Sequence, residues 1–368
     1  HRKMPLLHKL PEGAIKMQKY EVGIDTLSYY YGLTPKQNKA ILNKLKMLPD
    51  FFKKGDYWEE THIYHSNYFQ RQGVKLIVSQ IKGTRWGLLV IIHPALVLGE
   101  MDRSNLYQPE KKAEYKSMIK LVDKLLKEVD VPCSVDDMKL YRADVTANFI
   151  YDTSASVSEY IRILKKSRLL HNYHWDKFRE DDHTARDCKI ANQHSCKQYC
   201  KSAAFFAYDK TAQLEMIEAF PDALIGKHIL RLEAQLGPKA MKKWVGEDTM
   251  EDSNWKIIKE LGVNVEKILS WYLERVNPVH GNYIRYKDAV ELVSQVKGEK
   301  KRERMLYLLR KTSDSENLAA AQEKMKEKFQ LSDSQCKTVL NQFQKLGISP
   351  VTLTNSSGFE RLPGMNLL

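Results

Sequence analysis

Cysteine is scarce and odd in number, five in 368 residues. That argues against a disulfide framework and for a reducing cytoplasm. Long apolar runs are missing. The strongest, Trp86 to Ile92, is strand-sized, well short of the ~18 residues of a membrane-crossing helix. His1 to Lys9 are basic but carry neither an apolar run nor a small-residue cleavage site, so they do not read as a secretory signal. No repeat or low-complexity stretch is visible. No Walker-type glycine-rich loop occurs, which argues against a fused helicase, and no Gly-x-Ser-x-Gly or Asp-Phe-Gly motif is present. Negative charge is also in short supply: 46 acidic residues face 59 Lys and Arg, a formal net charge of +13.

What is present is an ordinary globular balance, 43% hydrophobic and 29% charged, which excludes wholesale disorder. A chain this basic, with 19 tyrosines, suits a polyanion. Lys and Arg hold phosphates with counterion release, and rings stack on exposed bases. No strongly basic amphipathic anchor stands out, so a membrane partner is not expected.

The patterning predicts strands with intercalated helices, then helices alone: an α+β region followed by an α-helical one. Tyr20 to Tyr31 reads as a strand. Thr34 and Pro35 open a helix, as a cap and a first-turn proline. Thr61–Phe69, Val74–Ile81 and Trp86–Ile92 read as an antiparallel meander. A helix follows over Glu110–Val129, then a strand over Lys139–Tyr151 and a helix over Val157–Leu170, started by Ser156 or Ser158. His171 to Gln198 reads as a long loop or an irregular pair of strands. Cys200–Asp209 and Lys227–Leu236 read as strands, with a helix over Thr211–Phe220 between them. Interruptions at Pro278 and Gly281 place a boundary between Asn277 and Tyr286. The expected division is residues 1–280, with 1–130 and 131–280 as candidate subdomains, and a helical 281–368.

Alternation along three strands carries the chemistry. In the first, Tyr141, Ala143, Val145, Ala147 and Phe149 make a core face, opposite Arg142, Asp144, Thr146 and Asn148. In the last, Leu230, Leu232, Ala234 and Leu236 oppose Arg231, Glu233 and Gln235. Between them in sequence, Phe206, Tyr208 and Lys210 share a face. Side by side in one antiparallel sheet, these strands gather two carboxylates, two arginines, a lysine and a phenol. Asp144 and Glu233 then make a candidate site for Mg²⁺ or Mn²⁺, which prefer oxygen ligands. The plainer alternative is a solvated face with salt bridges such as Arg142 with Glu233. A tyrosine beside such a site has one well-defined use, in-line attack on a phosphodiester. Its phenol, with an ordinary pKa near ~10, needs Lys210 or the ion to ionise it.

Several segments resemble, in order, the phage and plasmid replication protein family typified by the gene II protein of filamentous phages. They are Leu88–Leu98 (LLVIIHPALVL), Leu140–Phe149 (LYRADVTANF), Phe206–Lys210 (FAYDK), Ile229–Ala234 (ILRLEA), Met305–Lys311 and Lys337–Ile348. They span roughly Leu88 to Ser349. Each is short and degenerate; the ordered set is far more specific than any one. The resemblance implies a rolling-circle replication initiator with a nicking-endonuclease-like core, an enzyme that nicks one strand of origin DNA and rejoins ends. It implies Tyr208 as nucleophile, Asp144 and Glu233 as ligands of Mg²⁺ or Mn²⁺, and Arg142 and Arg231 as phosphate-contacting or carboxylate-orienting groups. It further implies origin DNA, duplex and single-stranded, and the helicase and polymerase of a bacterial host as partners, in the cytoplasm. The sequence departs from the related two-histidine endonucleases, since no His-hydrophobe-His triplet occurs. His62 and His65 are off by one residue, and His93 stands as a strand-ending residue before Pro94.

Cys188, His194, Cys196 and Cys200, with His183, form the one Cys/His cluster. Its spacing fits no standard zinc ribbon. Arg186, Lys189, Lys197 and Lys201 make that segment basic, a candidate DNA clamp. Ser315–Phe329 and Ser332–Lys345 could pair as a helix-turn-helix, or belong to a helical bundle with a charged outer face. Two other functions stay open: a transposase or relaxase with the same chemistry, and a non-catalytic DNA-binding origin protein or repressor.

Overall fold

The computed structural model describes residues 19–56, 61–81, 85–100, 102–176, 190–217, 221–315 and 317–367. Apolar residues alternate along Lys139–Tyr151, and this segment forms a 13-residue strand almost wholly buried over its last nine residues. It is one of the two central strands of a ten-stranded sheet in which every pairing is antiparallel. In chain order the strands are β1 (Lys19–Leu33), β2 (Phe51–Asp56), β3 (Thr61–Ser66), β4 (Val74–Ile81), β5 (Arg85–Ile92), β6 (Lys139–Tyr151), β7 (His174–Asp176), β8 (Ser195–Cys200), β9 (Ala203–Asp209) and β10 (His228–Leu236). Their spatial order is β2-β3-β4-β5-β1-β6-β10-β9-β8-β7. The three strands expected to carry the chemistry, β6, β10 and β9, are therefore neighbours. The mixed α/β architecture, an antiparallel sheet with packed helices, matches the expected class.

Helices pack against this sheet. They are α1 (Pro35–Leu45), α2 (Pro94–Val97), α3 (Lys112–Glu128), α4 (Ser154–Lys166), α5 (Lys210–Met216), α6 (Pro238–Val245), α7 (Glu247–Met250), α8 (Asn254–Val263) and α9 (Val265–Val276), with α4, α8 and α9 lying on β6, β9 and β10. The Phe205 ring of β9 stacks on Tyr272 of α9, centroids 5.3 Å apart, and Tyr151 of β6 on Tyr160 of α4, at 5.2 Å. Burying such rings gives about 1.5–3 kcal/mol each. The helical region follows as α10 (Tyr286–Ser294), α11 (Glu299–Asp314), α12 (Leu318–Phe329) and α13 (Asp333–Leu346). Hydrophobic packing runs unbroken across residue 280, in one buried cluster from Ile24 to Leu367. The tail returns to the sheet: Tyr20 and Tyr160 donate hydrogen bonds to the carbonyls of Leu367 and Pro363 at 3.1 and 2.9 Å. Among the described residues no helix is long and apolar enough to cross a membrane.

Local chemistry explains where elements begin. Thr34 and Gln37 form a reciprocal capping box ahead of Pro35, and Ser332 and Gln335 form another at α13. Three residues join α12 to α13, with Gln330 in the left-handed region at φ 51°.

Several expectations are corrected. α4 starts at Ser154, capped by Thr153 rather than by Ser156 or Ser158, and ends four residues before Leu170. The expected strand at Cys200–Asp209 is a hairpin of β8 and β9. Cys200 closes β8, and Lys201-Ser202 makes the turn without the glycine or asparagine that marks such turns in sequence. β2 carries no strand signature, because Phe51-Phe52-Lys53-Lys54 does not alternate. The exposed Lys53 suits an edge strand that must not pair further. Tyr141 does not join the core face; it is 49% exposed. The pairing with β1 skips a residue between Arg142↔Ser28 and Leu140↔Tyr29, so a bulge at Tyr141 turns its ring outward.

Candidate functional site

The register places the polar residues of the sheet in rows on the face opposite α4, α8 and α9, where Leu214 of α5 packs on Ile229. Tyr208 of β9 lies opposite Arg231 of β10, which lies opposite Asn148 of β6. In the next row Phe206 faces Glu233 and Glu233 faces Thr146; in the third Gln235 faces Asp144. Asp144, Glu233 and Tyr208 therefore share one surface. The Tyr208 phenol donates a hydrogen bond to Glu233 Oε2 at 3.3 Å, and Gln235 Nε2 donates to Glu233 Oε1 at 2.7 Å.

A third carboxylate joins them. Ile24 pairs with Val145 and Thr26 with Asp144, so Asp25 is an extra residue in β1. This bulge sends Asp25 to the polar face beside Thr26. Asp25 Oδ1 accepts from Arg231 Nη1 at 2.6 Å. Arg231 also donates from Nε to Asn148 Oδ1 at 2.8 Å and from Nη2 to the Ser104 carbonyl at 2.6 Å. Asn148 Nδ2 donates to the same carbonyl at 2.9 Å. Ser104 is held there because its segment bonds to β1, with Ile24 and Tyr107 exchanging backbone hydrogen bonds at 2.9 and 3.0 Å. Gly23 permits the approach: a Cβ on it would stand 2.8 Å from the Leu106 Cβ and the Tyr107 carbonyl.

This face is closed, where an open sheet surface was expected. Tyr208 is 6% exposed, Glu233 4%, Asp144 2% and Arg231 0%. Arg231 is fully engaged by Asp25, Asn148 and Ser104, so its guanidinium is not free for a phosphate. It orients a carboxylate outside the anticipated pair. Arg142 does not pair with Glu233. Its Nη2 donates to Asp144 Oδ2 at 2.9 Å, and its Nε lies 2.9 Å from Asp144 Oδ1 without hydrogen-bond alignment. Asp144 Oδ1 is thus buried with no hydrogen bond.

Lys210 does not continue the β9 face. The strand ends at Asp209, whose side chain accepts from Ala212 N, and Lys210 is the first residue of α5. Its Nζ donates to Gln213 Oε1 at 2.9 Å while the residue stays buried. His93 half-faces the same cluster, with Nδ1 3.3 Å from Thr26 Oγ1 and 4.0 Å from Asp25 Oδ2.

Burial and like charge set the protonation of the group. Burial, then Glu233, pushes the Asp144 carboxyl well above the carboxylate range against the pull of Arg142. Burial, then Asp25, raises Glu233. Burial and Glu233 also raise the Tyr208 phenol. Burial and the charge of Arg231 bring Lys210 down to about 7. Burial would raise Asp25, but Arg231, Lys210 and His93 hold it at about 2.

Asp144 and Glu233 are oxygen donors of the kind a hard divalent cation takes, each already held by protein partners. Glu233 raises the Asp144 carboxyl from the neighbouring strand, and Asp144 Oδ1 is buried with no hydrogen bond, its one close partner being the Arg142 guanidinium at 2.9 Å. Among the described residues no three His, Cys, Asp or Glu side chains stand close enough together to hold an ion by themselves. Mg²⁺ is commonly held by one or two carboxylates plus water and substrate phosphates, which Asp144 and Glu233 could supply in part.

Lys197 and Lys201 stand on the β8–β9 hairpin. Lys197 Nζ pairs with Asp176 at 3.1 Å and lies 5.9 Å from the Phe206 ring centroid, while Lys201 is exposed at the turn. Cys196 is buried, and it and Cys200 are free thiols. Cys188, His183, Arg186 and Lys189 lie outside the described residues. His62 and His65 sit on β3, with four strands between theirs and β10.

Sequence reasoning missed Asp25, and the signal was faint but present. Ile24, Leu27 and Tyr29 are core residues, so the apolar spacing takes one step of three in a strand of period two. Compared with models of known protein families and with curated proteins, the chain matches none.

Proposed function

We propose that the chain nicks one strand of DNA and rejoins it through Tyr208, in the manner of a rolling-circle replication initiator of a bacterial phage or plasmid. The observation that carries this reading is the 3.3 Å hydrogen bond from the Tyr208 phenol to Glu233, with Asp144 on the next strand of the same face. Glu233, which accepts the phenol's hydrogen bond, would take the phenolic proton as the oxygen attacks phosphorus. The bond formed is a phosphotyrosine on the 5′ side of the nick, and the bond broken leaves a 3′-hydroxyl. Lys210, titrating at about 7, can carry a proton at neutral pH, as general acid–base work requires. Mg²⁺ or Mn²⁺, held by Asp144 and Glu233, would neutralise charge on the scissile phosphate. The burial of Tyr208 requires that the polar face open to admit a strand. The 3′-hydroxyl would then prime a host polymerase behind a host helicase, in the cytoplasm.

Burial favours a second reading, in which the same network merely stabilises a non-catalytic DNA-binding protein. The two part in one assay. Single-stranded oligonucleotides with a randomised central segment are incubated with the protein and Mn²⁺ or Mg²⁺. The nicking reading expects ion-dependent cleavage at a preferred sequence. It expects Asp144→Asn and Glu233→Gln to lower the rate by about two orders of magnitude or more while DNA binding persists. It also expects Mn²⁺ to raise the melting temperature of the parent chain and not of the variants, by mass action on the folded state. Binding without cleavage for any sequence or ion would leave the second reading.

A further inference from the structure

Below the third row of the polar face lies an open groove of about 630 Å³, between the β8–β9 hairpin, the end of β10 and the start of α6. Two of its walls are the side chains that hold the acid pair: Arg142, on Asp144, and Gln235, on Glu233. The groove therefore borders the closed site, with Arg142 and Gln235 standing between the two.

Two features of its lining call for an occupant. Tyr141 and Tyr199 are 49% and 41% exposed, large rings in water on a protein with a full core. The Tyr141 bulge is the device that puts one of them there. Among the described residues around them stand Arg142, Lys197, Lys201 and Lys239, against a single acid, Asp176. Exposed rings among cations make the surface that single-stranded nucleic acid uses, with bases on the rings and phosphates on the lysines. A duplex would hide its base faces from both tyrosines.

We propose that this groove binds single-stranded DNA, with Tyr141 and Tyr199 as base-stacking residues and Lys201 and Lys239 as phosphate contacts. Its use as the path to Tyr208 rests on the strand-transfer reading; the binding itself does not.

The test is fluorescence anisotropy of a labelled oligothymidylate with the full chain in chelator, so that no cleavage intrudes. Tyr141→Ala and Tyr199→Ala should each weaken binding about tenfold or more. Lys201→Ala and Lys239→Ala should each flatten the log–log salt dependence by about 0.7, the single-strand value for one phosphate contact. Phenylalanine at either tyrosine should restore affinity, since stacking needs the ring and not the hydroxyl. All four side chains are exposed, so circular dichroism and melting should not change. Oligothymidylate affinity unaltered by both alanine variants would overturn the proposal. So would an equal loss for a duplex of the same length. A loss seen only with an oligouridylate would also overturn it, by making the groove an RNA site. Should the variants lose affinity while no cleavage ever occurs, the groove stands and the strand-transfer reading falls. Should the chain cleave DNA while the variants bind as the parent does, strand transfer stands and the groove falls.

Discussion

Tyr208→Phe should abolish covalent capture of DNA and cut nicking by at least about four orders of magnitude, the scale of losing a nucleophile that acts as part of a unit. The substitution keeps the packing around the ring. The Tyr208 ring stacks on Phe206 with centroids 4.5 Å apart, and a phenylalanine keeps that contact. Glu233 loses the phenol on one oxygen but retains Gln235 on the other. Leaving that oxygen short of a donor costs about 1–3 kcal/mol, which thermal melting would register without loss of the fold. A variant that melts near the parent and no longer nicks places the chemistry on the hydroxyl. One that nicks at the parent's rate removes Tyr208 from the reaction.

Arg231→Met should be the most damaging single change to stability, by about 3–5 kcal/mol, the range for stripping the partner from a buried charge. The guanidinium is wholly inaccessible and holds Asp25, Asn148 and the Ser104 carbonyl at 2.6 to 2.8 Å. Methionine takes a donor from all three, leaving the Ser104 carbonyl with Asn148 alone and the largely buried Asp25 charge with no cation in hydrogen-bond reach. Asp25→Asn in the same chain should recover part of the loss, because the orphaned charge is then gone. The pH dependence has a definite sign. Asp25 is held at about 2, below its unfolded value of about 3.9, so its stabilisation is present above that value. It fades as pH falls toward 2. Urea denaturation should therefore show the gap between parent and Arg231→Met narrowing between pH 4 and pH 2. A gap under about 1 kcal/mol at pH 7 would mean that the network adds little to the fold.

The central strands were legible because their two faces differ so plainly. The bounds of Lys139–Tyr151 follow from alternation alone, and placing β6, β10 and β9 together follows from matching apolar faces. Where the period breaks, reading fails. The bulge at Asp25 hides a carboxylate among residues that read as strand core, and the bulge at Tyr141 turns a ring outward that strict alternation would bury. Lys210 reads as a strand residue because nothing short of the Asp209 cap announces that a helix has begun. The closure of the polar face was invisible for a different reason. It depends in part on the Ser104 carbonyl, a backbone atom with no signature in sequence, 44 positions from Asn148 and 127 from Arg231. The length of the expected α4 and the junction of β8 with β9 slipped because Thr153 and Lys201-Ser202 do the work of more recognisable caps and turns.

The most direct measurement is mass spectrometry of the protein after incubation with cleavable single-stranded DNA and Mn²⁺, followed by nuclease and protease digestion. The strand-transfer account expects a nucleotide mass on the peptide containing Tyr208, absent from Tyr208→Phe. Cleaved DNA with an unmodified Tyr208, or a nucleotide on another tyrosine, would contradict it.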